Sequence, residues 1–153
     1  MVEKERLLAA LDESPYGFLA LASGGRPYCV PLNFVRRDNT ILFHSAIAGR
    51  KLDYIAASST VSFVAVPYAR YIKGQLDFEY LSVYIEGLAR IVGDREEKRR
   101  AYSLLMAKYE GDPGFREVPD SCLDGSVIVS IDICRITGKE HRPEPGVVHP
   151  QNS

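Results

Sequence analysis

A small, mainly β fold is predicted for this chain: an antiparallel barrel of six strands with about three flanking helices. Three observations predict it. Apolar stretches alternate with turn residues at 16–22, 27–35, 40–45, 61–66, 80–91 and 126–136. Most connections between them are short, which implies antiparallel pairing. The stretches at 16–22 and 40–45 are apolar on both faces and need cover on both sides, which a barrel wall packed against helices or a second subunit supplies.

Residues 2–12 place Leu7, Leu8 and Leu11 at helical spacing, and Pro15 stops the helix. The first two strands flank Ser23-Gly24-Gly25-Arg26, a tight-turn sequence. Pro27 and Pro31 cannot donate to a ladder, so they belong on an edge or at a bulge. A turn at Arg37-Asp38-Asn39 leads into the third strand. Residues 47–57 change period, with Leu52, Ile55 and Ala56 on one face of a short helix. The strand at 61–66 should stop at Pro67, and 68–78 reads as an aromatic loop. In 80–91, Gly87 marks a bulge or bend. Asp94 is an N-cap with Glu97 three residues on, opening a helix to about Tyr109 with Ala101, Leu105 and Tyr109 (and Tyr102, Met106) inward. Residues 111–125 read as loop. Val127, Val129, Ile131 and Ile133 line one face of the last strand, and the chain from Lys139 reads as a frayed tail. The expected organisation is a single domain over 1–140 and a flexible segment over 141–153.

The chain has 153 residues, enough for one core. Nineteen Lys and Arg against twenty Asp and Glu leave a net charge of -1, which argues against a nucleic-acid binder. With 46% hydrophobic residues it is too apolar for disorder. Cys29, Cys122 and Cys134 include no CxxC pair, and the two in apolar strands, Cys29 and Cys134, should be inert. The apolar run 7–11 is too short for a signal segment, and no run approaches the length of a membrane span, so a cytoplasmic setting is expected.

Chemistry concentrates at Phe43-His44-Ser45-Ala46-Ile47-Ala48-Gly49-Arg50-Lys51-Leu52. A strand ends, small residues turn, and a helix begins on two adjacent cations. A helix N-terminus already carries free N–H groups and partial positive charge, so cations there oppose the usual preference. A phosphate reverses that sign, because the N–H groups, the Ser45 hydroxyl and both cations all favour it. The alternative is a pair of solvated cations that happen to open a helix. No Walker-type or GxGxxG sequence accompanies the turn.

The blocks Arg26-Pro27-Tyr28-Cys29-Val30-Pro31-Leu32-Asn33-Phe34, Ile41-Leu42-Phe43-His44-Ser45-Ala46 and Gly49-Arg50-Lys51-Leu52, in that order, resemble the flavin-binding split-barrel superfamily related to pyridoxamine 5'-phosphate oxidase. The resemblance is strongest to its nitroimidazole-resistance branch. Leu81-Ser82-Val83-Tyr84-Ile85-Glu86-Gly87-Leu88-Ala89 and Ile136-Thr137-Gly138-Lys139-Glu140 are similar to later blocks, so the resemblance spans nearly the whole chain. It implies a six-stranded split barrel that works as a homodimer, with FMN (or FAD in its place) at the subunit interface. Ser45, Arg50 and Lys51 would grip the phosphate, within a turn that includes Ala46 and Gly49. Val30, Pro31, Leu32 and Asn33 would run beside the isoalloxazine, and Ser82 would approach from a neighbouring strand. His44 would lie on the substrate side as a proton donor, a role that histidine's ordinary pKa near 6.5 suits. The alternative for His44 is a structural histidine with both nitrogens bonded.

The activity implied is transfer of electrons from NAD(P)H to a small acceptor such as a nitroaromatic. Pyridoxamine phosphate oxidases carry Arg and Lys on the strand that here reads Tyr28 to Phe34, and this chain has neither there, so their substrate is not implied. Two other readings stand beside the enzyme. One is a flavin-storage module; the other is a haem-binding barrel with His44 or a tail histidine, His141 or His149, as axial ligand. Tyr68, Tyr71 and Phe78 could roof the flavin or belong to the core. Arg70 and Lys73 could meet an anionic substrate or be solvated. Arg95 to Arg100 reads as a solvent-facing turn with a Glu96–Arg100 pair.

Overall fold

The computed structural model describes residues 3–111 and 118–144. In chain order these form α1 (Lys4–Glu13), β1 (Gly17–Ser23), β2 (Arg26–Leu32), β3 (Val35–Arg37), β4 (Thr40–Ala46), α2 (Arg50–Ala57), β5 (Thr60–Ile72), β6 (Asp77–Ile91), α3 (Arg95–Glu110), α4 (Asp120–Gly125) and β7 (Ser126–His141). All pairings are antiparallel, in the order β2-β1-β5-β6-β7-β4-β3. The sheet is mainly β and unclosed, a split barrel with β2 and β3 as its free edges.

The two-residue turn at Gly24-Gly25 has both φ values positive (55° and 76°), which matches the twist of a hairpin. Pro27 and Pro31 lie on the edge strand β2, where a missing N–H breaks no ladder. The β6–β7 register shifts between Glu86 and Gly87, as the glycine predicts. A Cβ on Gly87 would meet Ile131 Cγ2 at 2.5 Å and the Asp132 carbonyl at 2.7 Å.

The structure corrects the sequence reading in several places. The described residues form seven strands and four helices, against six and three. The apolar run 27–35 is two strands, because Phe34 turns into the core between them. The Tyr109 hydroxyl accepts from the Phe34 N–H at 3.0 Å and lies within bonding distance of the Phe34 (3.0 Å) and Pro15 (2.7 Å) carbonyls. A side chain from α3 thus replaces a strand partner, and Tyr109, read as an inward residue, is 39% exposed.

Residues 68–78 are a hairpin rather than a loop, with pairs from Tyr68↔Leu81 to Ile72↔Asp77. Pro67 does not end β5, because it sits in the register shift between Ala65 and Tyr68, where no ladder donor is required. Within 111–125, Asp120–Gly125 is helical. Lys139–His141 are strand, paired to Ser82, Leu81 and Tyr80. His149 lies outside the described residues. Cys29 and Cys134 are exposed, because both alternate onto the outer face of their strands.

Among the described residues, two apolar clusters hold the fold. The inner one joins Leu7 and Leu11 of α1 with Leu19, Phe34, Phe43, Phe63, Ile85, Val129 and Ile131, and takes in Leu52 and Ile55 of α2. The second seats α3, through Ala101 and Leu105, on Val35, Leu42 and Ile128. Leu42 belongs to the outer cluster and Phe43 to the inner one, so alternate residues of β4 face opposite layers. Arg6 and Arg142 flank the Glu140 carboxyl and hold it at about 2, tying α1 to the end of β7.

Candidate functional site

The site is built where β4 hands over to α2. Leu52 and Ile55 anchor the helix in the inner core, so its first turn is fixed at the barrel edge. Its N-cap is Gly49, with φ 144° and ψ 173°, a conformation reserved in practice for glycine. No side chain caps the helix, and a Cβ at Gly49 would meet nothing within 4 Å. The amides of Leu52 and Asp53 both reach the Gly49 carbonyl at 3.1 Å, while those of Arg50 and Lys51 have no intrahelical acceptor.

Two cations, Arg50 and Lys51, occupy the first turn that carries these free donors. The Arg50 guanidinium lies 5.1 Å from the Tyr28 ring centroid, and Tyr28 meets Tyr54 edge-on at 5.6 Å. Arg50, Tyr28 and Tyr54 therefore bridge α2 to the edge strand β2 across the split. Neither Arg50 nor Lys51 pairs with a carboxylate among the described residues. Free N–H groups, two unpaired cations and open space above a glycine make a donor set that fits a phosphate.

Ser45, Ala46, Gly49, Arg50 and Lys51 come together at this corner by chain continuity. Ser45 is buried on the inner side of β4. His44 alternates to the other side, exposed, with its ring 6.2 Å from that of Tyr102 on α3. The Tyr102 hydroxyl bonds Ser126 Oγ, whose own partner is the Cys122 carbonyl. On β2, Val30 and Leu32 turn inward against the core, whereas Pro31 is exposed, as is Asn33 just after the strand.

Ser82 is not brought to the corner within this chain. Ser45 pairs with Val127 and Ser82 with Lys139, twelve residues further along β7. Its hydroxyl lies 3.4 Å from the Lys139 carbonyl, on the same face as the exposed Tyr84. That face also exposes Phe18 (40%) and Leu88 (46%), with Val66 (40%) at the β5 bulge. Tyr71 and Phe78 stack edge-on at 5.3 Å across the protruding hairpin, and both are exposed, as is Tyr68. Arg70 pairs with Glu79 on the same hairpin.

The sequence alone assigns Tyr28 and Tyr102 no role beside Arg50 and His44. Tyr28 lies inside the block that carries the family resemblance, and Tyr102 lies on the inward stripe of α3, so both positions were visible, but their partners depend on the fold. Among the described residues no cluster of His, Cys, Asp and Glu could hold a metal ion, and no helix is long and apolar enough to cross a membrane.

The profile of the pyridoxamine 5'-phosphate oxidase family matches residues 3–140. The chain belongs to that family. A search of curated proteins finds no match. Among solved structures, the chain is similar to a candidate 5-nitroimidazole antibiotic resistance protein from Bacteroides thetaiotaomicron, at 21% identity and a TM-score of 0.79, covering 90% of this chain and 84% of that one. It is also similar to an FAD- and haem-binding protein from Mycobacterium smegmatis (17% identity, TM-score 0.78, 97% of this chain and 76% of that one). A third is an FAD-binding protein from Mesorhizobium loti (22%, TM-score 0.69, 92% and 96%). At these identities, the likeness establishes the split-barrel fold of this family member.

Proposed function

We propose that this family member is a flavin-dependent oxidoreductase that binds FMN at the α2 corner, works as a homodimer, and passes electrons from NAD(P)H to a small acceptor such as a nitroaromatic. The observation that carries the reading is the uncapped α2 N-terminus with Arg50 and Lys51, neither paired with an acid, in its first turn. Two or three charge-assisted hydrogen bonds there, at about 1.5–3 kcal/mol each, are enough to hold a phosphorylated cofactor. Ser45 would add a hydroxyl, and Val30, Pro31, Leu32 and Asn33 would border the ring from β2, which Arg50 already touches through Tyr28. The nitroimidazole-resistance and FAD-binding neighbours support flavin chemistry on this fold.

A second copy of the chain would cover the exposed apolar face around Phe18, Tyr84 and Leu88 and deliver Ser82, which is remote from Ser45 in its own protomer. Bound flavin supplies the two-electron chemistry. The chain's residues position the ring, exclude water and manage protons. Reduction of a nitro group to a nitroso group consumes two electrons and two protons and releases water. His44, exposed beside the corner and steadied by Tyr102, would donate a proton from a ring nitrogen.

The purified chain should carry the twin absorption bands of a flavin, and anaerobic NADH or NADPH should bleach them until an acceptor restores them. A single intense Soret band, or a flavin that NAD(P)H never bleaches, contradicts the reading in favour of haem binding or storage. His44→Ala should keep flavin and lose turnover; loss of flavin in that variant would assign His44 to cofactor retention.

A further inference from the structure

At the opposite end of β4 from the α2 corner, a cavity of about 440 Å³ opens between the first turns of α3 and the ends of β3, β4 and β6. That volume is in the range of small-molecule sites. Its wall carries three guanidinium groups from three separate elements, Arg37 of β3, Arg90 of β6 and Arg100 of α3. Leu42 and Ala101 supply an apolar base.

Asp38, Asp94 and Glu97 at the rim match the three arginines in number, but their placement leaves Arg100 without a partner. Glu97 is taken by Arg90 at 2.8 Å, and the Asp94 carboxylate accepts the Glu97 N–H at 2.7 Å as the helix cap. Asp38 approaches Arg37 only to 3.8 Å, and its side chain is 92% exposed to water. Arg100 has no acidic partner among the described residues, because Glu96 pairs with Arg99 instead, which also corrects the Glu96–Arg100 pair that the spacing suggests.

The second observation is Ser130. It lies on β7 directly between Leu42 of β4 and Arg90 of β6, and it lines the cavity. It is fully buried, and its hydroxyl has no hydrogen-bond partner. Buried hydroxyls are nearly always bonded, so an unpartnered one among arginines on a cavity wall points to a missing acceptor. We propose that this cavity binds a small oxyanion, the phosphate or carboxylate of a small molecule, clamped by Arg37 and Arg100 with the Ser130 hydroxyl as the deep donor. The site is separate from the α2 corner and does not depend on flavin binding.

The test is calorimetric titration of inorganic phosphate, and separately of succinate, into the full chain carrying Arg50→Ala and Lys51→Ala, which disables the other cationic corner. At least one of the two ions should bind, and which one does distinguishes a phosphate-bearing from a carboxylate-bearing ligand. Adding Arg100→Gln or Ser130→Ala should each weaken that binding at least fivefold. The proposal is overturned if neither ion binds, or if binding is unchanged by either substitution. Arg100 is exposed on α3 and not part of the core, so its substitution reads the site without a change of fold.

Discussion

Helices α2 and α3 both begin on basic residues, and the molecule treats these two starts in opposite ways. At the start of α3, Asp94 caps the Glu97 amide, Glu96 and Glu97 complement the dipole, and the cations are consumed internally. Arg95 bonds Asp120 and Asp124, Lys98 reaches the carbonyls of Leu123 and Ser126, and Arg99 lies near Asp120. These contacts pin α4 to α3, so the turn that reads as merely solvent-facing is a clamp. At the start of α2, there is a glycine in place of a cap, and Arg50 and Lys51 meet no acid. At the α3 start the chain supplies the anions and the cations are structural; at the α2 start it supplies none, and the proposed phosphate site rests on that difference.

The largest effect should come from removing the open set. Arg50→Ala should weaken FMN by about 1.5–3 kcal/mol, ten- to a hundredfold, and the double variant with Lys51→Ala by more, as read by flavin fluorescence titration. Lys51→Ala should leave the melting temperature unchanged, and Arg50→Ala should lower it only slightly, through loss of its contact with the Tyr28 ring. An unchanged affinity would place α2 with α3 among the structural starts.

The next effect concerns the base of α3. Lys108 has its ammonium buried without a hydrogen-bond partner, 3.9 Å from the Phe34 ring centroid, and burial lowers it to about 8. Below pH 8 the lysine is charged in both folded and unfolded chains and the desolvation cost is present in full. As pH rises from about 8 towards 10.5, the folded chain releases its proton first, so this group makes stability rise with pH. The ring face and partial exposure offset part of the cost, leaving about 1–2 kcal/mol. Lys108→Met should raise the unfolding free energy by that amount at pH 7 and flatten its rise between pH 8 and 10, measured by denaturant titration.

At the α3 start, Asp94→Ala should lower stability by about 1 kcal/mol and leave flavin affinity alone. Arg95→Ala should do least. Its pairs with Asp120 and Asp124 are exposed, so a slight change in melting temperature and faster amide exchange in α4 are expected, with no change in flavin binding.

The contrast between the two helix starts was half visible in the sequence. Asp94 and Glu97 sit at capping spacing, and both the cap and α3 follow from them. Gly49-Arg50-Lys51 shows a turn and two cations, but whether an acid from elsewhere reaches them depends on the fold. The sequence could not place Asp120 and Asp124 against Arg95, because that contact spans some 25 residues and a helix of six. Local cues also misled where tertiary structure overrode them: Pro67 looks like a strand end until the β5 bulge is seen, and Phe34 looks like part of a strand until Tyr109 takes its backbone groups. Ser130, by contrast, gives no local signal. It is one polar residue in an apolar strand, and only its burial beside Arg90 shows that its hydroxyl lacks a partner.

The central claim is that the α2 start recognises a phosphate. Riboflavin, which is FMN without that group, tests it on the native chain. FMN should bind at least tenfold more tightly than riboflavin, and Arg50→Ala should shrink the difference by acting on FMN alone. Equal affinities for the two flavins, or equal weakening of both by Arg50→Ala, would contradict the claim.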